Sequence, residues 1–341
     1  MNNSTVVGID LAKNVLQLHA LDRSTGQVQD LQLSRTKLKT WFTNREPCRI
    51  AIEACGGSHY WAQWLSTAGH DVHIYHARHV RGFLQGAKHD RNDAQALCAA
   101  RRLGTLRPIP VKTTTALIWQ MRIHRRDTRI VNRTKLVNQV RALLLEVGIV
   151  IPRGISPLRR GLPEVIRHCD DEELLQMLEE FSTELIEMDE QIKQDTKRLT
   201  DWVNGSEVGQ RLMAVPGIGV ITASTLLSHV PDPHHFRNGR GFSSWCGLVP
   251  DQNSSGGKTR LLGISKRGNV SLRRCFFHGA RALARVAAQR EDPLAQWLNG
   301  VRERRGIHRA IGAGANKLAR ICWHLMATEE AYQAHMAAAY R

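Results

Sequence analysis

The sequence predicts an α/β domain joined to a largely helical remainder, and three observations carry that prediction. Short apolar or alternating runs bounded by turn residues recur through residues 5–76, the period-two texture of strands. From residue 115 onward, apolar residues return at three- and four-residue spacing over stretches too long for strands. Between 207 and 230 two such stretches flank PGIG, a break that only a tight turn accommodates.

The N-terminal elements follow in order. TVVGIDLA (5–12) is a short apolar run ending in an acid, VLQLHAL (15–21) alternates, DRSTG (22–26) is a turn and QVQDLQLS (27–34) alternates again. These read as three antiparallel strands joined by tight connections. TKLKTWFTN (36–44) is a short amphipathic helix, and CRIAIEA (48–54) is a buried strand carrying Glu53 near its end. Gly56 and Gly57 break the chain before a helix over 58–69, a fifth strand follows over 71–76, and DAQALCAARRLG (93–104) is a helix. The order β-β-β-α-β-α-β-α is that of an RNase H-like domain, in which the first and fourth strands are parallel neighbours. That topology brings together Asp10 at the end of the first strand, Glu53 at the end of the fourth, and Asp90 and Asp93 on the last helix.

The stretch KHDRNDAQAL (88–97) admits two explanations for its acids. An Asp at the N-cap with an acid three residues on satisfies free backbone N–H groups and suits the helix dipole. Carboxylates at i and i+3 also share one helix face, so both reach a single divalent cation. Taken with Asp10 and Glu53, the four acids predict a site for a divalent metal, since hard cations favour oxygen ligands.

Residues 115–149 read as one long helix with a dense Arg/Lys face over 122–141, ended by Pro152, Gly154 and Pro157; 171–203 is a second long helix. Leu174, Leu178, Leu185, Met188 and Ile192 form a stripe on it, suited to a helical hairpin, to a coiled coil or to a dimer contact. EVGQRLMAVPGIGVITASTLLSHV (207–230) resembles a helix-hairpin-helix element, in which Gly217 and Gly219 would let a phosphate approach the backbone. In GLVPDQNSSGGKTRLLGISKRGNVSLRR (247–274), Ser254 and Ser255 precede two glycines. Lys258, Arg260, Lys266, Arg267, Arg273 and Arg274 follow them. Such a serine binds a phosphate, attacks one, or merely decorates a polar loop. Residues 301–326 read as a basic loop followed by a helix.

The totals set the partner class. The formal net charge is +17 and the pI about 10.2 over 341 residues, which makes nucleic acid the expected partner. The seven cysteines form no CxxC pair, against a zinc ribbon or disulfide scaffold and in keeping with a reducing cytoplasm. No apolar run is long enough to span a membrane and the N-terminus has no secretory pattern.

Together VGIDLAK, AIEACGG, KHDRNDAQAL, AVPGIGVITA and GLVPDQNSSGGKTRLLGISKRGNVSLRR, spread from residue 6 to about 286, resemble the transposases of the insertion-sequence one-ten type, DEDD recombinases that include the Piv-like invertases. The resemblance implies a RuvC-like DEDD domain over 1–110, a helical coiled-coil region over 111–205 and a transposase domain over 206–341. It implies that Asp10, Glu53, Asp90 and Asp93 bind one or two Mg2+ ions, with Mn2+ able to substitute, and that Ser255, or failing it Ser254, is the nucleophile. Double-stranded donor and target DNA and a structured guide (bridge) RNA are the implied partners, in a bacterial cytoplasm. A dimer or a tetramer would suit strand exchange. Lys88 and Arg91, beside the acids, join Gly217, Gly219 and the cations of 258–274 as expected nucleic-acid contacts. Two rivals remain at this stage: a RuvC-like junction nuclease that cuts with water, and a nucleic-acid-binding regulator without activity.

Overall fold

The computed structural model describes residues 4–87, 89–254 and 256–335. The chain divides into two compact units, Met1–Ala116 and Leu117–Arg341.

In the first unit β1 (Thr5–Leu11), β2 (Val15–Asp22) and β3 (Val28–Ser34) form the antiparallel meander expected from their alternation. Next come α1 (Arg35–Thr43), β4 (Arg49–Glu53), α2 (Ser58–Thr67), β5 (Asp71–Tyr75), α3 (Ala77–Val80) and α4 (Asp90–Leu103). The sheet order is β3-β2-β1-β4-β5, with β1, β4 and β5 mutually parallel. The predicted pairing of the first and fourth strands is therefore present.

The period of two assigns the faces of this sheet. Val7, Ile9, Ile50 and Ile52 join Phe42, Trp61 and Leu65 in one buried cluster, under α1 and α2. Ala51 joins Tyr75, Ala96, Leu97 and Ala100 in another, under α4. Gly8 faces α4 as well: a Cβ built on it would overlap the Ala94 carbonyl oxygen and stand 2.6 Å from the Cys98 amide nitrogen. Small residues on both surfaces let α4 lie close on the central strands. The helix ends at Gly104 in the left-handed conformation, φ 68°, where the absence of a Cβ removes the strain.

In the second unit α5 (Thr114–Glu146) and α7 (Glu172–Asn204) are the two long helices, and α6 (Ile155–Arg167) lies between them in sequence. The sequence placed Pro157 among the residues ending the first long helix; instead Pro157 sits in the first turn of α6, where backbone N–H groups have no intrahelical acceptor to lose. Leu178 and Leu185 of α7 are buried with Leu136, Val140 and Leu144 of α5 and Leu158 and Leu162 of α6, and Leu174 and Met188 pack at the margin. The stripe thus serves packing within one chain. Ion pairs tie the same helices: Asp195, 2 % exposed, takes both Arg125 and Arg129, and Asp189 takes both Arg133 and Arg159. The basic face of 122–141, expected to lean toward nucleic acid, is largely engaged in this hairpin.

The remainder is α8 (Glu207–Met213), α9 (Val220–His229), α10 (Gly239–Trp245), the ribbon β6 (Pro250–Gln252) and β7 (Leu261–Ile264), α11 (Val270–Val286), α12 (Pro293–Arg305) and α13 (Ile307–Ala327). Residues 301–305, expected as a basic loop, are the end of α12, and Gly306 at φ 80° makes the break. Helix α13 is the spine of this core, burying Ala315, Leu318, Ile321, Cys322 and Leu325 against residues of α9 to α12.

Candidate functional site: an acidic sheet edge and a serine ribbon

The acids are brought together by register. Ile9 pairs with Ile52 across the parallel strands, so Asp10 and Glu53 are the next residues on neighbouring strands, about 5 Å apart in the backbone. Both follow a small residue by two positions, so both share its α4-facing side: Gly8 precedes Asp10 and Ala51 precedes Glu53. Helix α4 runs antiparallel to β1. The Cys98 thiol reaches the Val6 carbonyl oxygen at 3.4 Å, and Ala94 lies over Gly8. One helical turn advances about 6 Å, as do two strand residues, so the turn at Asp90 lies over Asp10.

Asp90 and Asp93 both occupy the first turn of α4, but neither caps it. His89 is the N-cap, its Nδ1 accepting from the Arg91 amide at 3.2 Å. The capping explanation for Asp90 is overturned, because the imidazole already supplies the acceptor.

The electrostatics of the four reflects this proximity. Burial, then the charges of Asp90, Asp93 and Glu53, push the Asp10 carboxyl up from 3.8 to about 6. The Cys55 thiol is raised by burial and by Glu53 and Asp10. None of the four carboxyls is in an ion pair with a described residue. Such repulsion without a counter-cation fits a divalent ion, and the donor set, all carboxylate oxygen, is one magnesium favours. Among the described residues no three acidic, histidine or cysteine side chains stand closely enough together to hold an ion.

Beside them, Asp30 of β3 holds His19 Nδ1 at 2.8 Å and Arg91 Nη2 at 2.6 Å. Burial opposes ionisation of Asp30, but these two hydrogen bonds outweigh it and lower its pKa. Arg91, expected to contact nucleic acid, is thereby engaged on the protein. Lys88 lies outside the described residues.

The second group of candidates lies on the β6–β7 ribbon. Its base is fixed: the Ser265 amide donates to the Val249 carbonyl at 2.8 Å and the Asn269 amide to the Trp245 carbonyl at 3.1 Å. In the connection, Ser254 Oγ accepts from Gln252 Nε2 at 2.8 Å and from the Arg260 amide at 3.2 Å. Ser254 is thus a brace of the ribbon. Ser255 lies outside the described residues; Gly256 and Gly257 beyond it have φ 56° and 76°.

The expected nucleic-acid cations separate into two sets. Lys258, Arg260 and Lys266 have exposed side chains on the ribbon and the turn after it, with no side-chain ion pair to a described residue. Arg267 pairs with Asp251 at 3.3 Å, Arg273 donates to the Cys246 carbonyl at 3.1 Å, and Arg274 pairs with Asp127. Gly217 also has a different task from the expected one. At φ 88° it lies against α11, where a Cβ would stand 2.8 Å from the Gly279 carbonyl oxygen. Gly219 is exposed at the N-cap of α9, with no side chain capping the helix.

Two residues that matter here carried signals the sequence offered. A glycine inside a strand, as in TVVGID, marks close backbone approach, and that is Gly8. His89 lies in KHDRND directly before Asp90, a better-known kind of cap.

The comparisons with known proteins give the family. Residues 209–295 match the profile described as "Transposase IS116/IS110/IS902 family", and residues 7–149 match one described as "Transposase" for the DEDD type of IS110. The chain is 39% identical over 336 residues to a "Probable family 20 transposase" of Pseudomonas aeruginosa, covering 97% of this chain and 99% of the relative. It is 34% identical to the "Transposase for insertion sequence element IS1111A" of Coxiella burnetii (98% and 92% covered). It is 35% identical to the "Transposase for insertion sequence element IS1328" of Yersinia enterocolitica (95% and 97% covered). Among the described residues no helix is long and apolar enough to cross a membrane.

Proposed function

Since the chain belongs to the IS116/IS110/IS902 family of insertion-sequence transposases, we propose that it cuts and rejoins DNA through a serine-linked intermediate at a metal-assisted site, directed by a structured RNA from its own element. The observation that carries the metal half is the crowding of Glu53, Asp90 and Asp93 around Asp10, with no cationic partner among the described residues and an Asp10 carboxyl pushed to about 6. Asp10, Glu53, Asp90 and Asp93 would hold one or two magnesium ions, Mn2+ substituting, after side-chain rotations bring the four inward. When bound, the ions polarise the scissile phosphate and offset the charge that builds on it.

Within that frame the chain's own residues have distinct tasks. Ser255 is the nucleophile: its Oγ–P bond forms as the phosphorus–oxygen bond to one deoxyribose breaks, the serine proton leaves to solvent, and the departing strand end gains a hydroxyl. Attack by a second strand's hydroxyl reverses the sequence and frees the serine, so phosphodiester energy is conserved through the phosphoserine. Ser254 supports this assignment by exclusion, since its oxygen already accepts two hydrogen bonds. Among the cations expected to meet nucleic acid, Lys258, Arg260 and Lys266 are exposed and without an ion pair to a described residue, and the charge of +17 favours RNA as well as DNA. The first unit is an RNase H-like domain on this account, which its strand order supports. Acids and serine belong to different units, and a dimer or tetramer would suit strand exchange.

The test is a covalent trap. Purified protein, element-end RNA, Mg2+ and end-labelled donor and target DNA are mixed and denatured in detergent. Label carried with the protein, lost in Ser255→Ala and in Asp10→Ala, is expected. Cleavage with no protein-linked strand, unchanged by Ser255→Ala, would instead establish a hydrolytic nuclease of the RuvC-like kind.

A further inference from the structure

A groove of about 960 Å³ opens in the second unit between the β6–β7 ribbon and helices α11, α12 and α13. Its wall is mostly apolar, with Phe277 of α11 and Trp297 of α12 as the aromatic surfaces. Gly312 of α13 keeps it open: a Cβ at that position would meet nothing within 4 Å. Lys317, one turn further along α13, is only 5 % exposed, yet it lines the groove with its Nζ 4.4 Å from the centre of the Trp297 ring. It has no hydrogen bond or ion pair with any described residue. Arg309, about two turns before Lys317, is exposed at the rim.

A buried ammonium without an anion is costly, and the ring beneath it offsets only part of that cost. Burial, reinforced by Arg320, lowers the Lys317 pKa. The combination of an apolar aromatic wall and an unpaired cation matches a flat heterocycle carrying a phosphate. Stacking suits the first and charge the second. The volume is that of a small-ligand site, too confined for a duplex, whose paired bases offer no free face. A peptide carboxylate would satisfy the ammonium and leave the aromatic wall without a flat partner.

We propose that this groove is a pocket for one unpaired nucleotide of a DNA or RNA strand, its base against Trp297 and Phe277 and its phosphate at Lys317 and Arg309. The proposal rests on the nucleic-acid partner assumed under the proposed function, but on neither the metal nor the serine. The ribbon that walls the groove is the one whose connection carries Ser254 and Ser255.

The test uses the full chain and fluorescein-labelled 20-mers of one sequence as single-stranded DNA, single-stranded RNA and duplex DNA, at fixed salt. Gly312→Leu fills the groove from a helical position with free space, and Lys317→Met removes the charge while keeping a chain of similar length over Trp297. Each is expected to weaken binding of at least one single strand tenfold or more while duplex affinity stays within twofold. Whichever strand responds, DNA or RNA, is the source of the nucleotide. Melting temperatures check folding, and Arg309→Gln at the exposed rim serves as a third variant, with the same selectivity expected. Unchanged single-strand binding, an equal loss on duplex, or competition by polyglutamate as strong as by an oligonucleotide would each overturn the proposal. Failure of the wild-type chain to bind any of the three nucleic acids would overturn the partner class itself.

Discussion

Gly8 of β1 and Ala94 of α4 meet backbone to backbone, so closely that a single added methyl on Gly8 would overlap the Ala94 carbonyl oxygen. That contact sets the height of α4 over the sheet, and with it the reach of Asp90 and Asp93 toward Asp10 and Glu53. The atom in the way is backbone, so no side-chain rotation relieves it. Gly8→Ala is expected to destabilise the chain by about 2 kcal/mol or more and to lower magnesium-dependent cleavage at least tenfold. Urea unfolding and the cleavage assay, run on the same preparation, check both. Loss of stability with full cleavage would mean that the acids do not depend on this contact.

Asp10 gives a pH prediction whose sign is opposite to that of most carboxylates. Its pKa is raised by folding, from 3.8 to about 6, so the fold favours the protonated form. The associated stability is full below about 3.8 and lost as pH rises through about 6. Without metal, Asp10→Asn should therefore melt a few degrees above wild type at pH 7.5, with the gap closing toward pH 4. Adding Mg2+ should reverse the order at pH 7.5, because only the wild type has all four ligands and binding stabilises the folded state. Scanning calorimetry with and without Mg2+ reads both effects.

Asp195 behaves the ordinary way. Although its burial raises the carboxyl, hydrogen bonds and charge from Arg125 and Arg129 win and lower it. Its stability is present above 3.8 and lost as pH falls through and below that value. Asp195→Asn leaves two guanidinium groups facing each other and should cost about 3 kcal/mol at pH 7, with little difference from wild type remaining near pH 2. Denaturant midpoints across that range are the measurement.

Two glycines on helices should respond with opposite signs to the same substitution. Alanine is the better helix former by about 1 kcal/mol, and at Gly312 nothing opposes the gain. At Gly279 the new methyl would overlap the Gly217 carbonyl oxygen, a backbone clash larger than the propensity gain. Gly312→Ala should raise the melting temperature and Gly279→Ala should lower it.

The serine doublet should divide by role. Ser254→Ala removes the acceptor of two hydrogen bonds and should loosen the ribbon, reducing adduct yield a few-fold without abolishing it. Ser255→Ala should leave no adduct at all. Equal, complete loss from both would place the nucleophile assignment in question.

The strands and most helices were legible because each obeys a local rule. Strand faces follow a period of two, and Val7, Ile9, Ile50 and Ile52 obey it. The parallel pairing of the first and fourth strands followed from element order and is present. What failed locally failed through competition among short-range options. His89 took the cap that one of the two explanations gave to Asp90, and Pro157 opened a helix instead of closing one. The cations show the widest gap. Arg91, Arg125, Arg129 and Arg274 look alike in sequence to Lys258 and Lys266, yet the first four have acidic partners.

The sequence by itself determined the charge, the element order, the family and the presence of four acids in motifs that such a topology would gather. Tertiary structure alone decided how near those acids come, which arginines remain free for phosphate, and that a buried lysine lines an open groove. The reason is physical. Periodicity and capping act over a few residues and are written into the chain. Repulsion at Asp10, pairing at Asp195 and vacancy at Gly312 depend on atoms far apart in sequence, and only packing sets their distances.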